Sequence, residues 1–182
     1  IWRGRDANTI GMERITADHM GMLGTIFNSV ALNSALEKEG LKSHVMSAIP
    51  MGDVVQPFNY QMAKKDLEHG DIIIFAGGTG HPYFSTDTGA VLRAIEIEAD
   101  AMLLAKAIDG IYDSDPKLNP EAKKYDEISI QETIDKRLAA VDLAASILCM
   151  ENKMPMLVFG LNEKNSIVET MKGNFTGTKV TV

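Results

Sequence analysis

Cysteine and positive charge are scarce in this sequence, and each scarcity excludes a class of protein. The single cysteine, Cys149, cannot form an internal disulfide, which argues against a secreted disulfide scaffold and favours a reducing cytoplasm. It lies in a helical apolar pattern, so we interpret it as a core residue rather than a nucleophile. With 18 basic and 25 acidic residues the net charge is −7, which excludes a general nucleic-acid binder because such a protein needs a basic face.

Long apolar runs and the common nucleotide-loop signatures are lacking as well. No apolar run approaches the roughly 20 residues of a membrane-spanning helix. Neither the dinucleotide fingerprint Gly-x-Gly-x-x-Gly nor the P-loop signature occurs, and the four histidines do not have a metal-ligand spacing. We therefore predict a cytoplasmic protein with no membrane or nucleic-acid partner, and we expect its 182 residues to form one domain with a sizeable core.

The most informative stretch is the glycine-rich segment 77–87. It follows an apolar run at 71–76 that is typical of a buried strand, and it leads into helical apolar spacing at 87–99. A glycine-rich turn between a strand and a helix can bring backbone N–H groups close to a phosphate. Because the segment also carries hydroxyl and aromatic side chains, it suits a ligand with a phosphate, a sugar and a flat ring. The plainer alternative is a simple turn, with Thr86 or Asp87 as the helix cap.

Apolar periodicity and turn residues predict strands that alternate with helices along the chain. We expect helices at 18–39, 57–69, 87–99, from 129, at 141–151 and at 167–171, and strands at 43–49, 71–76, 101–106, 156–159 and 178–182. Gly40 and Gly70 should end the first two helices, and Ser129 with Glu132 has capping-box spacing. This alternation predicts an α/β fold with a mainly parallel sheet covered on both faces and ligands at the carboxyl ends of its strands.

Several short segments together indicate a family. They are residues 1–4 (IWRG), 17–22 (ADHMGM), 46–50 (MSAIP), 77–87 (GGTGHPYFSTD), 96–100 (EIEAD), 109–112 (DGIY), 115–116 (DP) and 141–144 (VDLA). In this order and combination the sequence resembles the bacterial UMP kinases of the amino-acid-kinase superfamily over essentially its whole length. The resemblance implies a three-layer αβα sandwich with a mainly parallel central sheet.

The resemblance has one large departure. The family begins with a strand and loop bearing a Lys-x-Ser-Gly signature, then a helix, then a second strand that ends in Gly-Gly-Gly-Asn. This sequence starts just after the position of that second glycine loop. We therefore expect an N-terminally truncated amino-acid-kinase domain that lacks these strands, glycine loops and the main phosphate-binding lysine.

The resemblance implies transfer of the γ-phosphoryl group of ATP to UMP in pyrimidine nucleotide biosynthesis, with Mg²⁺ accompanying ATP. For UMP it implies a binding site built from Asp18, Thr79, Gly80, His81, Pro82, Tyr83, Phe84, Ser85 and Thr86. For ATP it implies Tyr112 near the adenine, Asp115 facing the nucleotide and Lys106 at a position where relatives vary. It assigns no metal ligands.

Four charged residues have a catalytic or binding interpretation beside a plainer one. Arg3 can fork onto the transferring phosphate or onto ATP, or it is a solvated surface charge. Asp18 accepts hydrogen bonds from the ribose in the family, but a helix start at 18 would make it an N-cap. Asp87 acts in catalysis through a metal or by orienting a cation, or it only caps its helix. Asp142 lies among apolar residues, which indicates a catalytic role or a buried partner unless it lies on an exposed face.

The resemblance also implies partners beyond the substrates. We expect a homohexamer, for which the 18–39 helix is apolar enough to form an interface, and GTP and UTP as effectors. Two alternatives remain open from the sequence. One is a non-catalytic nucleotide-binding or storage relative with the same fold. The other is an amino-acid kinase acting on a carboxylate, which would need a basic acceptor pocket in place of Asp18.

Overall fold

The computed structural model describes residues 11–138 and 141–182. The described residues divide into two compact units, with the boundary between Ile97 and Glu98. Arg3, predicted to bind phosphate and ATP, lies outside the described residues. The assignment of all 182 residues to a single domain stays a prediction.

The first unit has a three-stranded parallel sheet. Its elements are α1 (Arg14–Lys38), β1 (Ser43–Ser47), β2 (Gln56–Pro57), α2 (Tyr60–Glu68), β3 (Ile72–Ala76) and α3 (Thr86–Glu96). The strand order is β2-β1-β3, and both strand pairs are parallel. Ser47 at the end of β1 pairs with Ala76 at the end of β3. The segments that leave these two strands therefore start side by side at the carboxyl edge of the sheet.

Helix α1 has two apolar stripes. One stripe, which includes Ala17, Met22 and Ile26, is buried, and α1 packs against β1 and β3. Ile26 belongs to a buried cluster with Val55 and Ala76. The second stripe repeats at helical spacing in the sequence but is exposed, and it consists of Met20, Leu23, Phe27 and Val30. Its 3-4-3 spacing places these side chains on one face of the helix.

The second unit has a four-stranded mixed sheet. Its elements are β4 (Met102–Lys106), β5 (Glu127–Ser129), α4 (Ile130–Asp135), α5 (Leu143–Glu151), β6 (Met156–Gly160), α6 (Ser166–Met171) and β7 (Thr178–Thr181). The order is β4-β6-β7-β5, with β4/β6 and β5/β7 parallel and β6/β7 antiparallel. Alternating helices and mainly parallel strands confirm the predicted α/β class.

Three predicted helix starts are wrong by two or more residues, and two short strands were not predicted. Helix α1 begins at Arg14 instead of 18, so Asp18 is inside the helix. Pro57 lies in the short strand β2, and the following helix is capped by Asn59, whose side chain accepts from Met62 N. The helix predicted at 141–151 ends at Glu151 as expected, but it begins at Leu143, and Asp142 is its N-cap. Strands β2 and β5 are only two and three residues long, so their periodicity was too short to recognise.

The predicted buried cysteine is confirmed, since Cys149 has no exposed surface. Its Sγ lies 3.6 Å from Met156 Sδ, and burial raises the pKa of the thiol to about 11. A thiol with such a pKa is protonated near neutral pH, which agrees with a structural rather than a nucleophilic role. Across residues 11–138 and 141–182, none of the helices combines the length and apolar character needed to cross a membrane.

Candidate functional site

The glycine-rich segment 77–87, from here on called the glycine loop, packs closely against the end of β1. Gly77 and Gly80 both have left-handed backbones, with φ of 80° and 79°. A Cβ atom at Gly77 would lie 3.2 Å from Ser47 Oγ, and one at Gly80 would lie 3.0 Å from the Ala48 carbonyl oxygen. These two glycines are therefore required by conformation and by space, since an L side chain would be strained and crowded at either position.

The loop leads into α3 through a side-chain cap. Ser85 Oγ accepts from Thr88 N at 3.0 Å, so Ser85 is the N-cap of α3. The simple-turn alternative expected Thr86 or Asp87 as the cap and is wrong on this point. Asp87 lies in the first helical turn, where a carboxylate interacts favourably with the helix dipole. Helix α3 also approaches the loop closely, because a Cβ atom at Gly89 would lie 3.0 Å from Gly78 C.

Helix α1 holds the glycine loop at two points. Thr25 Oγ1 accepts from Gly77 N at 2.9 Å while donating to the Met22 carbonyl at 2.7 Å. Seven residues earlier, Asp18 Oδ2 accepts from Tyr83 N at 2.8 Å. A separation of seven residues is about two helical turns, which puts both side chains on the same face of α1. The helix thus contacts both the first residue of the loop and its outer end.

Asp18 is therefore not a helix cap. The N-cap position belongs to Glu13, whose side chain makes no capping hydrogen bond. The Asp18 side chain is 10% exposed, and Arg14 Nε donates to both of its oxygens at 2.8 Å. The structure brings Asp18 to the segment that carries the other predicted UMP-binding residues, 65 positions away from Tyr83 in the chain.

The side chains of the loop differ in what they offer a ligand. Thr79 Oγ1 donates to the His81 carbonyl and accepts from His81 N, both at 3.1 Å, so this hydroxyl stabilises the turn. Tyr83 and Phe84 are 65% and 54% exposed and present aromatic surfaces. The His81, Ser85 and Thr86 residues are exposed, and Pro82 is half-buried. Together these residues form a solvent-accessible surface next to the turn at Gly80.

The second unit has a separate cavity of about 390 Å³. Its walls come from residues within 107–117, after β4, and within 160–163, after β6. Tyr112 lines it and donates from its hydroxyl to Asp109 Oδ1 at 2.7 Å. Lys124 Nζ donates to Asp109 Oδ2 at 2.9 Å and to the Thr176 carbonyl at 3.0 Å. The cavity lining therefore places the Asp109 carboxylate beside an aromatic ring, and Lys124 pairs with that carboxylate.

This charge pair controls the protonation of its members. The Lys124 ammonium holds the pKa of Asp109 below its usual value, and the Tyr112 hydroxyl contributes in the same direction. Hydrogen bonding to the Asp109 carboxylate raises the pKa of both Tyr112 and Lys124. At neutral pH the site thus holds a carboxylate, an ammonium and a neutral phenol.

The predicted ATP-binding residues have different surroundings. Tyr112 lines the cavity, and its place near the adenine stays a prediction. Asp115 is exposed, and its Oδ1 accepts from Lys117 N at 2.9 Å in a local turn. Lys106 ends β4, and its carbonyl accepts from Leu161 N at 2.7 Å. Within the described part of the chain, neither Asp115 nor Lys106 belongs to the cavity lining.

The sequence analysis assigned no role to Asp109 or Lys124, although residues 109–112 are among the segments that carry the family resemblance. A Cβ atom at Gly110 would lie 2.7 Å from Thr178 Oγ1 and 2.8 Å from Lys124 Cδ, so this glycine is required by close packing. Besides that family segment, the local signal for Asp109 was that an acid follows the carboxyl end of a strand. Nothing in the sequence marks Lys124 as its partner.

Asp142 has a defined structural contact. Its Oδ1 accepts from Ala144 N at 2.9 Å and from Ala145 N at 3.1 Å, which caps α5. The catalytic roles of Asp142 and Asp87 stay predictions. Across residues 11–138 and 141–182, no group of three or more His, Cys, Asp and Glu side chains could hold a metal ion.

Comparison with known proteins gives a consistent result. The family model described as "Amino acid kinase family" matches residues 3–160. A uridylate kinase from Marinobacter nauticus is 44% identical over 180 residues, covering 99% of this chain and 74% of the relative. A uridylate kinase from Alcanivorax borkumensis is 43% identical and is covered to 71%. The crystal structure of UMP kinase from Ureaplasma parvum superposes with a TM-score of 0.93 at 40% identity, covering all of this chain and 78% of that one, which confirms the predicted fold.

Proposed function

Because the chain belongs to the amino acid kinase family, we propose that it transfers the γ-phosphoryl group of ATP to UMP, giving ADP and UDP. Relatives similar over nearly the whole chain are named uridylate kinases, which supports this acceptor. The observation that carries the proposal is the contact of Asp18 with Tyr83, because it sets a carboxylate beside a glycine loop suited to a phosphate. Pyrimidine nucleotide biosynthesis is the process that such a transferase serves.

The acceptor site is built from α1 and the glycine loop. Asp18 accepts hydrogen bonds from the ribose hydroxyls, since an ionised carboxylate can accept from more than one donor. Residues Thr79 to Thr86 contact the phosphate and the uracil through backbone N–H groups, hydroxyls and the exposed aromatic rings. The absence of a side chain at Gly80 lets this part of the loop pack against Ala48, which holds the loop in position beside the ligand.

The donor site is the cavity after β4. Tyr112 packs near the adenine, and Asp115, Lys106 and Arg3 complete the ATP contacts. The hydrogen bond to Asp109 supports this role because it fixes the Tyr112 ring against the cavity wall. Mg²⁺ enters with ATP, since this ion is usually held by substrate phosphates and one or two carboxylates rather than by an all-protein cage.

The reaction needs alignment and charge neutralisation rather than a covalent intermediate. An oxygen of the UMP phosphate forms a bond to the γ-phosphorus while the bond from that phosphorus to the bridging oxygen of ADP breaks. Arg3 neutralises charge on the transferring group, and Asp87 orients a cation at the start of α3. For Asp142 the proposal is a catalytic contact made in addition to its capping of α5.

The test is UMP-dependent turnover by the purified full-length protein. With ATP and Mg²⁺, ADP and UDP should form in equal amounts when UMP is added, and removal of Mg²⁺ by a chelator should abolish turnover. CMP, AMP and an N-acetylated amino acid serve as alternative acceptors. Turnover with the carboxylate and not with UMP would instead indicate an amino-acid kinase, and nucleotide binding without turnover would indicate a binding or storage protein.

We also propose a homohexamer in the cytoplasm, regulated by GTP and UTP. The exposed stripe of α1 supports self-association, because Phe27 is 72% exposed and lies in line with Leu23 and Val30. A Phe27→Asp substitution should lower the oligomeric mass measured by light scattering. An unchanged mass would exclude this stripe from the interface. The free thiol of Cys149 suits a reducing compartment.

A further inference from the structure

Arg14 occupies a position that helix physics disfavours. It is the first residue of α1, where the positive end of the helix dipole repels a cation. It also precedes its acidic partner Asp18 by four residues, which is the less favourable order for such a pair. The Arg14 side chain is 41% exposed and that of Asp18 is 10% exposed, so solvent at the arginine screens the pair and limits what it adds to stability. Stability of α1 therefore does not account for this arginine.

Within residues 11–138 and 141–182, the contacts of Arg14 are with Asp18 and with the outer end of the glycine loop. Its Nε donates to both oxygens of Asp18 at 2.8 Å, and its Cζ lies 5.6 Å from the centre of the Tyr83 ring. Tyr83 in turn donates its N–H to Asp18 Oδ2 at 2.8 Å. Arg14, Asp18 and Tyr83 thus form a closed set in which each residue contacts the other two.

The backbone of Tyr83 has an unfavourable conformation that its neighbours must stabilise. Its φ is 73°, in the left-handed region that L residues rarely adopt outside turns and strained sites. Such a conformation persists where the surroundings hold it, and here the hydrogen bond to Asp18 and the cation of Arg14 do so. Left-handed residues of this kind are concentrated at ligand sites.

We propose that Arg14 is a positioning residue of the acceptor-nucleotide site, which orients the Asp18 carboxylate toward the ribose. This inference rests on the proposed UMP kinase function. Arg14 and Tyr83 together direct two contacts to Oδ2 and one to Oδ1, so Oδ1 keeps capacity to accept from a ribose hydroxyl. Without Arg14 the carboxylate would rotate about its side-chain torsions, and recognition of the hydroxyl would weaken.

The experiment measures ribose recognition rather than activity alone. In the full-length protein, kcat/KM is compared for UMP, 2′-deoxy-UMP and 3′-deoxy-UMP at saturating ATP, together with the KM for ATP. The wild type should prefer UMP over at least one deoxy analogue by about tenfold to a hundredfold, the range expected for a hydroxyl bonded to a charged group. Asp18→Asn should remove most of this preference.

Arg14→Met should lower the same preference by about tenfold and leave the KM for ATP unchanged. Arg14→Lys should restore part of it, because lysine keeps the charge but lacks the planar N–H group that spans both oxygens. Lys136→Met is the matched control, since Lys136 also pairs with an acid four residues away, Glu132, and lies 5.3 Å from a tyrosine ring. This control should behave as wild type.

The outcomes separate the inference from the function on which it rests. If Asp18→Asn loses the ribose preference while both Arg14 variants keep it, the positioning role is refuted and the proposed function stands. If Asp18→Asn also keeps the preference, Asp18 does not read the ribose and the inference fails for that reason. A wild type without UMP turnover would refute the proposed function itself.

Discussion

Replacement of Gly80 by alanine tests whether the glycine loop depends on its close approach to β1. The left-handed backbone of Gly80 would cost an L residue about 1–2 kcal/mol. The new Cβ atom would also lie 3.0 Å from the Ala48 carbonyl oxygen and 3.3 Å from Ala48 Cβ. Such overpacking typically adds about 1–3 kcal/mol. Alanine also restricts the unfolded chain more than glycine does, which offsets about 0.4–1 kcal/mol, so the free energy of unfolding should fall by about 1–5 kcal/mol.

Gly78 provides a matched control in the same loop. Its φ of 59° is also left-handed, but a Cβ atom there would have nothing within 4 Å. Gly78→Ala should therefore lower the free energy of unfolding only by the cost of the left-handed backbone, about 1 kcal/mol. Urea denaturation of both variants measures the difference, and titration with UMP shows whether the shifted loop also binds more weakly. Equal destabilisation of the two variants would refute the close-approach argument.

Three further predictions concern the two sites and the core. Asp18→Asn should weaken UMP binding far more than ATP binding in calorimetry, and equal loss of both would show that the carboxylate serves only the local fold. Cys149 should not react with a thiol reagent at pH 8 until the protein unfolds, because burial raises its pKa to about 11; rapid labelling of the native protein would contradict its buried position. The pKa of Asp109 is lowered in the folded protein, so its ionised carboxylate stabilises the fold at pH values above the pKa of the unfolded state. This stabilisation is lost as the pH falls through the pKa of the folded state. Lys124→Met should therefore raise the Asp109 pKa and weaken this acid dependence, as measured by urea midpoints between pH 7 and pH 3, and an identical pH profile would exclude the pair as its source.

The local signals in the sequence were reliable because short-range chemistry sets them. Gly40 and Gly70 follow α1 and α2 with φ of 78° and 85°, as expected for glycines that end helices. Ser129 caps α4 by accepting from Glu132 N, as its spacing predicted. The strand, glycine turn and helix around 77–87 were also predictable, since apolar periodicity and a run of glycines define them within a few residues.

Tertiary packing decided the features that join distant parts of the chain. The start of α1 at Arg14 could not be predicted from a cap, because Glu13 makes none, and so the place of Asp18 within the helix was missed. The contact of Asp18 with Tyr83 spans 65 residues, and it exists because α1 packs on the sheet from which the glycine loop emerges. The pairing of Asp109 with Lys124 and the antiparallel β6/β7 pair likewise depend on how segments meet after folding. Periodicity and capping act over one or two turns, whereas these contacts are selected by burial of the whole core, which no local pattern records.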